Sequence, residues 1–455
     1  MGQLSALQRR FEGNDGQRRL IGLIMLVAAF VMSVPFPALG QESDQGVRVR
    51  LQYQDAESGE NVPAVGVVFS VTQEDGTPVG DGATDDNGEF FLAVESAGRF
   101  NLTIDPTTLP AGVTLRDPER ATLTVTVDAG RAASALFGLQ SGEGGAGADE
   151  SDTLRRVLQL TTEGIKLGLF LAMGAIGLSL IFGTTGLVNF AHAEMITWGM
   201  FIVFLVEGFA EGIGLLPDQK LLTIALGALA ALVVGGATGW LMNRFVFAPL
   251  RRKGTPLISQ MVVTIGFGIL ARYVILYFFG GSSRFFKSVS GQSAISIGVV
   301  DITPSDLIAV ILSIVVLVIV GLLLQRTRIG RAMRAVSDNR DLAESSGIDV
   351  QRVISQVWSA GGALAALGGL FLAQADQVLW EGGFRVLLLI FAGVTLGGLG
   401  TAYGALVGCL LIGLGVQLST LFIPIELKNV GALLVMAVVL LIRPQGILGR
   451  KERIG

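Results

Sequence analysis

The chain has 455 residues, 51% of them hydrophobic and 15% charged, and its mean hydropathy is +0.63, too apolar for an ordinary soluble protein and too long for one domain. A formal net charge of −4 argues against a nucleic-acid partner. One histidine, His192, excludes a multi-histidine metal site, and one cysteine, Cys409, excludes an intrachain disulfide.

Residues 1–40 read as a signal. Arg9, Arg10, Arg18 and Arg19 precede an apolar run from Leu20 to Val34, short for a span and right for a signal core. Ala38-Leu39-Gly40 places small residues before a cut after Gly40. A cleaved signal peptide and an uncleaved signal anchor both export the next segment.

Residues 45–139 change character. Val47, Val49, Leu51 and Tyr53 alternate with Arg48, Arg50 and Gln52, the period of a half-buried strand. Similar runs follow at Val65–Val71, Glu89–Val94, Arg99–Ile104, Ala121–Val127 and Ala133–Leu139, with turn clusters at Glu74-Asp75-Gly76 and Asp85-Asp86-Asn87-Gly88. The pattern predicts an all-β sandwich of about seven strands. The stretch TPVGDGATDDNGEFFLAVESAGRFNLTI resembles prealbumin-like sandwiches of surface and carboxypeptidase-associated domains. The acidic turn lacks the spacing of an EF-hand and reads as a hairpin. Residues 140–153 include SGEGGAGADESD, a flexible Gly-rich linker.

From 154 to 446 the chain reads as an α-helical polytopic membrane domain, with a basic tail at 447–455. Spans are expected near 160–183, 189–208, 221–247, 257–280, 304–325, 353–374, 384–400, 404–422 and 429–443, about nine in all, two of them short for the hydrocarbon core. If the sandwich is exported, Arg251-Arg252-Lys253, the 326–352 loop and Arg450-Lys451-Arg453 all fall in the cytoplasm, as the positive-inside rule asks. That puts residues 45–153 outside and the C-terminus inside. Gly361, Ala365 and Gly369, Gly362 and Ala366, and Gly235 and Gly239 repeat at four, a spacing that lets helices approach closely.

Between two apolar spans lies RTRIGRAMRAVSDNRDLAESSGIDVQR, residues 326–352. Asp338 is expected to cap a short helix, Asp341 and Glu344 to bring negative charge near its positive end, and Gly347 to stop it in the left-handed conformation. Leu342, Ala343 and Ile348 form its less polar surface. A helix of about two turns is marginal alone. It therefore reads either as a knob docking a separate protein or as a solvated loop. Arg331, Arg334 and Arg340 flank it and suit a protein partner or anionic lipid equally.

Gly183, Gly186 and Asn189 suggest a helix break near the inner face, with His192 and Glu194 on the same short segment. Such breaks expose backbone groups in transporters; capping and helix–helix hydrogen bonding explain the same residues. Gln260 and Thr264 share a helix face and fit either a pathway lining or interhelical hydrogen bonds. Arg272 lies in an apolar span, about 12 Å from the outer end, within reach of snorkelling or facing the bundle interior. Glu163 and Lys166 are expected to form an interfacial ion pair. No nucleophile–base pairing stands out, and no phosphate loop of the form G-x-x-x-x-G-K-[ST] occurs, so no catalytic residue is assigned and ATP hydrolysis is not expected of this chain.

LSLIFGTTGLVNFAHAEMITWGMF (178–201), TRIGRAMRAVSDNRDLAESSGIDVQRV (327–353), GVTLGGLGTAYGALVGCLLIG and LLIRPQGILGR resemble the signatures of branched-chain amino-acid permeases, membrane subunits of ATP-binding cassette importers. The resemblance runs from about Val157 to Arg450 and is nearer the first of the paired permeases. It does not cover the signal or the sandwich. The loop departs from the common E-A-A-x-x-x-G pattern, with Ala343 and Gly347 in place and Glu344 displaced. The resemblance implies a plasma-membrane permease working with a second permease, two ATPase subunits that use ATP and Mg, and an external binding protein, with no cofactor held by this chain. It implies coupling through Arg331, Arg334, Asp338, Asp341, Ala343, Glu344 and Gly347, and a pathway for branched-chain or related amino acids. Urea or a short-chain amide is the alternative substrate. A transporter or channel without a motor, and a membrane-anchored adhesion protein, are further alternatives.

Overall fold

The computed structural model describes residues 45–448 except 55–60, 87, 97, 116–120, 128–131, 136, 142–149, 213–219, 282–283, 285, 287–293, 424–426 and 443–445. The expected signal and most of the linker and tail lie outside the described residues. Two compact units emerge, residues 29–149 and a helical unit formed chiefly by residues 150–455.

The first unit is all-β. A four-stranded sheet runs β5 (Pro78–Ala83), β4 (Val68–Gln73), β7 (Gly98–Ile104), β9 (Thr122–Val127), every pair antiparallel. A three-stranded sheet runs β10 (Ala132–Ala135), β1 (Gly46–Arg50), β6 (Glu89–Ala93), with β1 and β10 parallel. Two short pairs complete it: β2 (Gln52–Gln54) with β3 (Asn61–Pro63), and β11 (Leu139–Ser141) with β8 (Val113–Leu115). The alternation predicted for Val47–Tyr53 holds in its buried residues, Val47, Val49 and Leu51, but the run divides at Leu51 into two strands. The strand Pro78–Ala83 was hidden by its own composition, PVGDGA, which reads as turn.

The second unit is helical. Its elements are α1 (Glu150–Thr185), α2 (His192–Gly212), α3 (Lys220–Met242), a π-helical turn (Asn243–Phe247) leading into α4 (Ala248–Arg252), α5 (Leu257–Phe279), a hairpin of β12 (Ile295–Ile297) and β13 (Val300–Ile302), α6 (Pro304–Arg326), α7 (Arg328–Asp338), α8 (Arg340–Ser345), α9 (Val350–Ala375), α10 (Gly382–Gly397), α11 (Ala402–Ser419) and α12 (Lys428–Ile442). Among the described residues seven helices are long and apolar enough to cross a membrane; the stretches Gly382–Gly397 and Lys428–Val439 are apolar but shorter. They occupy all nine expected positions, and the two short ones are the two that the sequence marks as short.

Glycine sets the packing around α9. A Cβ on Gly239 would strike the Trp358 carbonyl, one on Gly369 the Ile196 carbonyl and one on Gly199 the Ala366 carbonyl. Gly361 lies against Gly177, where a Cβ would come within 3.0 Å of the Gly177 oxygen. The small-residue repeats thus mark where helix backbones meet. At the hairpin end, Lys166 takes Glu163 at 2.6 Å, as expected, and also Asp306 at 2.9 Å. Gln159 closes the same end by hydrogen bonds to both backbone groups of Asp301, each at 2.9 Å.

Candidate functional site

The chain between α1 and α2 does not stay at the end of the bundle. Gly186, at φ +70°, turns it, and His192 Nε2 lies 2.8 Å from the carbonyl oxygen of Gly174. Gly174 precedes the end of α1 by about three turns, roughly 16 Å of helix rise. Residues 186–191 therefore run back inside the bundle, and α2 starts at mid-depth. The sequence marks this break at Gly183, Gly186 and Asn189; Gly183 and Gly186 lie beside Ser337 and Leu257 at one end of the bundle, and the segment runs inward from there to His192.

Besides α1, two elements flank the start of α2. α5 presents Gln260, Thr264, Gly268 and Arg272, four apart and so in line along one face. The Thr264 hydroxyl accepts from the Phe190 N–H at 3.2 Å and donates to the Met261 carbonyl at 2.7 Å. Gly268 lets α5 pass Ala191, whose Cα would lie 3.4 Å from a Cβ there. Arg272 Nε and Nη2 donate to Glu194 Oε1 at 3.1 and 2.9 Å. Gln260, at the far end of the line, donates to the Thr255 carbonyl at 2.9 Å. α10 comes from another side: the Gly383 N–H donates to Thr197 Oγ1 at 3.0 Å, and a side chain on Gly383 would strike the Ala193 carbonyl.

The charge pair is deep. Glu194 is 2% exposed, and the Arg272 guanidinium lies 3.8 Å over the ring of Phe384, itself 50% exposed. Glu194 stands in the first turn of α2, where the helix dipole favours an anion. Arg272 therefore neither snorkels alone nor stands unpaired. Glu194 Oε2, His192 Nδ1 and both amide atoms of Asn189 are buried with no hydrogen-bond partner among the described residues. Phe384, Gly383 and Thr197 escaped the sequence reading, because nothing local ties them to this site. The Glu194–Arg272 pairing had one legible signal: two opposite charges in apolar spans require partners.

A second constellation lies at the basic end. Thr327 Oγ1 accepts from the Gly330 N–H at 3.0 Å and so starts α7, an amphipathic helix that buries Met333 and Val336. Arg331 Nη1 donates to the Arg326 carbonyl at 3.4 Å, and Arg334 Nη1 donates to the Leu324 carbonyl. Asp338 does not cap the short helix as expected; it is the last residue of α7. The cap is Asn339, whose Oδ1 accepts from the Leu342 N–H at 2.9 Å while its extended backbone, φ −158°, turns α7 into α8. Asn caps at least as well as Asp and sits one residue nearer the first turn. Gly347 stops α8 at φ +83°, as expected. Asp341 and Glu344 are exposed, Ala343 is buried and Leu342 is 64% exposed. An open hollow of about 270 Å³ lies between Ala335, Asn339, Leu342, Ser346 and Ile348. Gly183 connects the two constellations: a Cβ there would lie 3.0 Å from both Ser337 Oγ of α7 and the Gly400 carbonyl.

Helices long and apolar enough to cross a membrane, packed around a buried polar segment, define a multi-pass membrane protein. The chain belongs to the family described as branched-chain amino acid transport system / permease component, whose model matches residues 160–442. The high-affinity branched-chain amino acid transport system permease protein LivH of Escherichia coli strain K12 is 29% identical over 300 residues, 65% of this chain and 96% of LivH. BraD of Pseudomonas aeruginosa, named likewise, is 29% identical over 302 residues, 65% of this chain and 96% of BraD. The probable LivH of Methanocaldococcus jannaschii is 28% identical over 294 residues, 61% of this chain and 88% of its own length.

Proposed function

We propose that this chain is the membrane-spanning permease subunit of an ATP-binding cassette importer and forms the pathway for branched-chain or related hydrophobic amino acids. The observation that carries the reading is the family match over residues 160–442, with relatives named as branched-chain amino acid permeases aligned over nearly their whole length. ATP and Mg are used by two separate ATPase subunits, and a second permease and an external binding protein complete the system. The protein sits in the plasma membrane with the β-rich unit outside and the basic end in the cytoplasm, in keeping with the positive-inside rule.

In this reading α8 is the coupling helix. Leu342, the hollow beside it and the flanking Arg331 and Arg334 present a mixed apolar and basic surface to the motor. Movement of α7 reaches the end of α1 through Ser337 and Gly183, and so reaches the break before α2. The test is uptake of labelled leucine by cells with and without this gene, with isoleucine, valine and urea as unlabelled competitors. Loss of uptake with the gene, and competition by isoleucine and valine, is the expected result. Gene-dependent uptake of urea instead of leucine overturns the substrate assignment, and transport without an associated ATPase overturns the importer.

A further inference from the structure

We propose that Glu194 and Arg272 form a zwitterion-exchange site inside the pathway: the α-carboxylate of an amino-acid substrate takes Arg272 and its α-ammonium takes Glu194, each replacing the other residue as partner. The inference rests on the importer reading and names the chemistry that the pathway recognises.

Four observations carry it. The pair lies at the mid-depth start of α2, where an apolar chain has no structural need for full charges and where both must be desolvated. Its hydrogen bonds are lopsided: Arg272 sends Nε and Nη2 to one oxygen, Oε1, and leaves the other, Oε2, buried without a partner. A pair built only for stability would engage both oxygens with the guanidinium fork. Arg272 is not sealed, since its side chain is 17% exposed beside the half-exposed Phe384. A cation with open surface at this depth faces a water-filled space or another protein rather than lipid. Finally, immediately beside the pair α5 and α10 meet the start of α2 at glycines, Gly268 and Gly383, while the aromatic packing of α2 on α5 lies further along, where Phe201 meets Phe279 at 4.4 Å.

An amino acid suits this site because the exchange conserves charge. The ion pair is replaced by two ion pairs, Arg272 with carboxylate and Glu194 with ammonium, and no buried charge is left uncompensated at either stage. Aliphatic side chains find apolar surroundings, with the Phe384 ring already against the guanidinium. A neutral solute such as urea that entered the pair would leave both charges without a counter-ion, and a carboxylate without an ammonium would leave Glu194 unpaired.

The test is equilibrium binding of labelled leucine to the purified complex of permeases and ATPases, without the external binding protein, in nucleotide-free and ATP-bound states. Saturable binding is expected in at least one state. Valine should compete, while isovalerate, which lacks the ammonium, and leucinamide, which lacks the carboxylate, should compete at least roughly tenfold less well, about 1.4 kcal/mol. Glu194→Gln and Arg272→Gln should each weaken leucine binding by a similar factor and narrow the preference for leucine over the analogue lacking the group that the residue no longer pairs. Copurification of the ATPase reports assembly. Where a single variant fails to assemble, the double variant E194Q/R272Q, which leaves no unpaired charge, is read in its place. Unchanged leucine binding in the assembled variants, equal competition by isovalerate, or no saturable binding in any state overturns the proposal. Those results leave the importer reading standing if gene-dependent leucine uptake persists; gene-dependent uptake of urea alone removes both.

Discussion

Inside the β-rich unit the buried side chains are of the kind of Val47, Val49, Leu51, Phe69, Phe100 and Leu102, and among the described residues there the one buried polar side chain is Thr84. Its hydroxyl accepts from the Val67 N–H at 2.9 Å and donates to the Ala64 carbonyl at 2.6 Å, so it completes backbone that the sheets leave open. Inside the helical unit, Glu194, His192, Asn189 and Lys166 are buried, and several of their polar atoms close nothing in the backbone. A polar group that satisfies backbone is explained by folding alone. A buried charge pair with an unmatched oxygen is not, and that difference separates a unit built to be stable from one built to move something.

The contrast is sharpest at Glu194. Glu194→Ala or Arg272→Ala leaves one uncompensated charge at depth and should cost the helical unit about 3–5 kcal/mol, whereas the double variant should lose much less than the sum. Denaturation of the detergent-purified protein through the full cycle measures it; additive costs would break the comparison. In the β-rich unit the corresponding change, Thr84→Val, leaves two backbone groups unpaired without stranding a charge. About 1–3 kcal/mol is expected, read as lowered protection from hydrogen exchange in the strands on either side of Val67 and Thr84, with transport unchanged.

Two glycines carry the comparison to function. Gly76 at φ +86° and Gly347 at φ +83° have the same backbone conformation, and neither has neighbours that a Cβ would strike. Alanine at either should cost about 1–2 kcal/mol. Under the coupling reading only Gly347→Ala lowers leucine uptake per ATP hydrolysed, because it loosens the stop of α8, while Gly76→Ala alters only a hairpin. Equal effects of the two on transport would show that α8 is not the coupling element.

The sequence was most legible where one period governs. The alternation of Val47, Val49 and Leu51 marked the buried side of β1 and the residue after it, and apolar length placed the seven membrane-length helices and the two shorter apolar ones. It failed where two local signals compete, as with Asp338 and Asn339, adjacent capping residues of which the second is the cap. It also missed α7, since the basic residues among Arg328–Arg334 mask a short apolar face whose buried large side chains are Met333 and Val336. At the break, Gly183, Gly186 and Asn189 gave its position in the chain but not how far inward the residues after it run. That inward run is marked by contacts with Gly174 and Gly383, which carry no polar side chain to announce them. Gln260 and Thr264 lay visibly on one face; that Arg272 continues it and that the face meets residues 190–194 emerge in the structure.

The smallest effect concerns the exposed acids of the β-rich unit. The backbone N–H of Thr77 holds the Asp75 carboxyl below the ordinary aspartate range, with its hydroxyl assisting, and the Thr107 hydroxyl followed by its N–H does the same for Asp105. A carboxyl whose pKa is lower folded than unfolded adds stability that is complete above the unfolded value and is lost as the pH falls through the folded one. The β-rich unit should therefore lose a small increment of stability below about pH 4. Asp75→Asn and Asp105→Asn should flatten the pH slope there while leaving the neutral-pH slope alone. Hydrogen-exchange protection of the β4–β5 turn and of the Pro106–Thr108 segment, followed from pH 5 to pH 2.5 after correction for intrinsic exchange, tests it. A slope that survives both substitutions would assign the acid sensitivity to other carboxylates, and the ordered turns would then owe nothing to their charge.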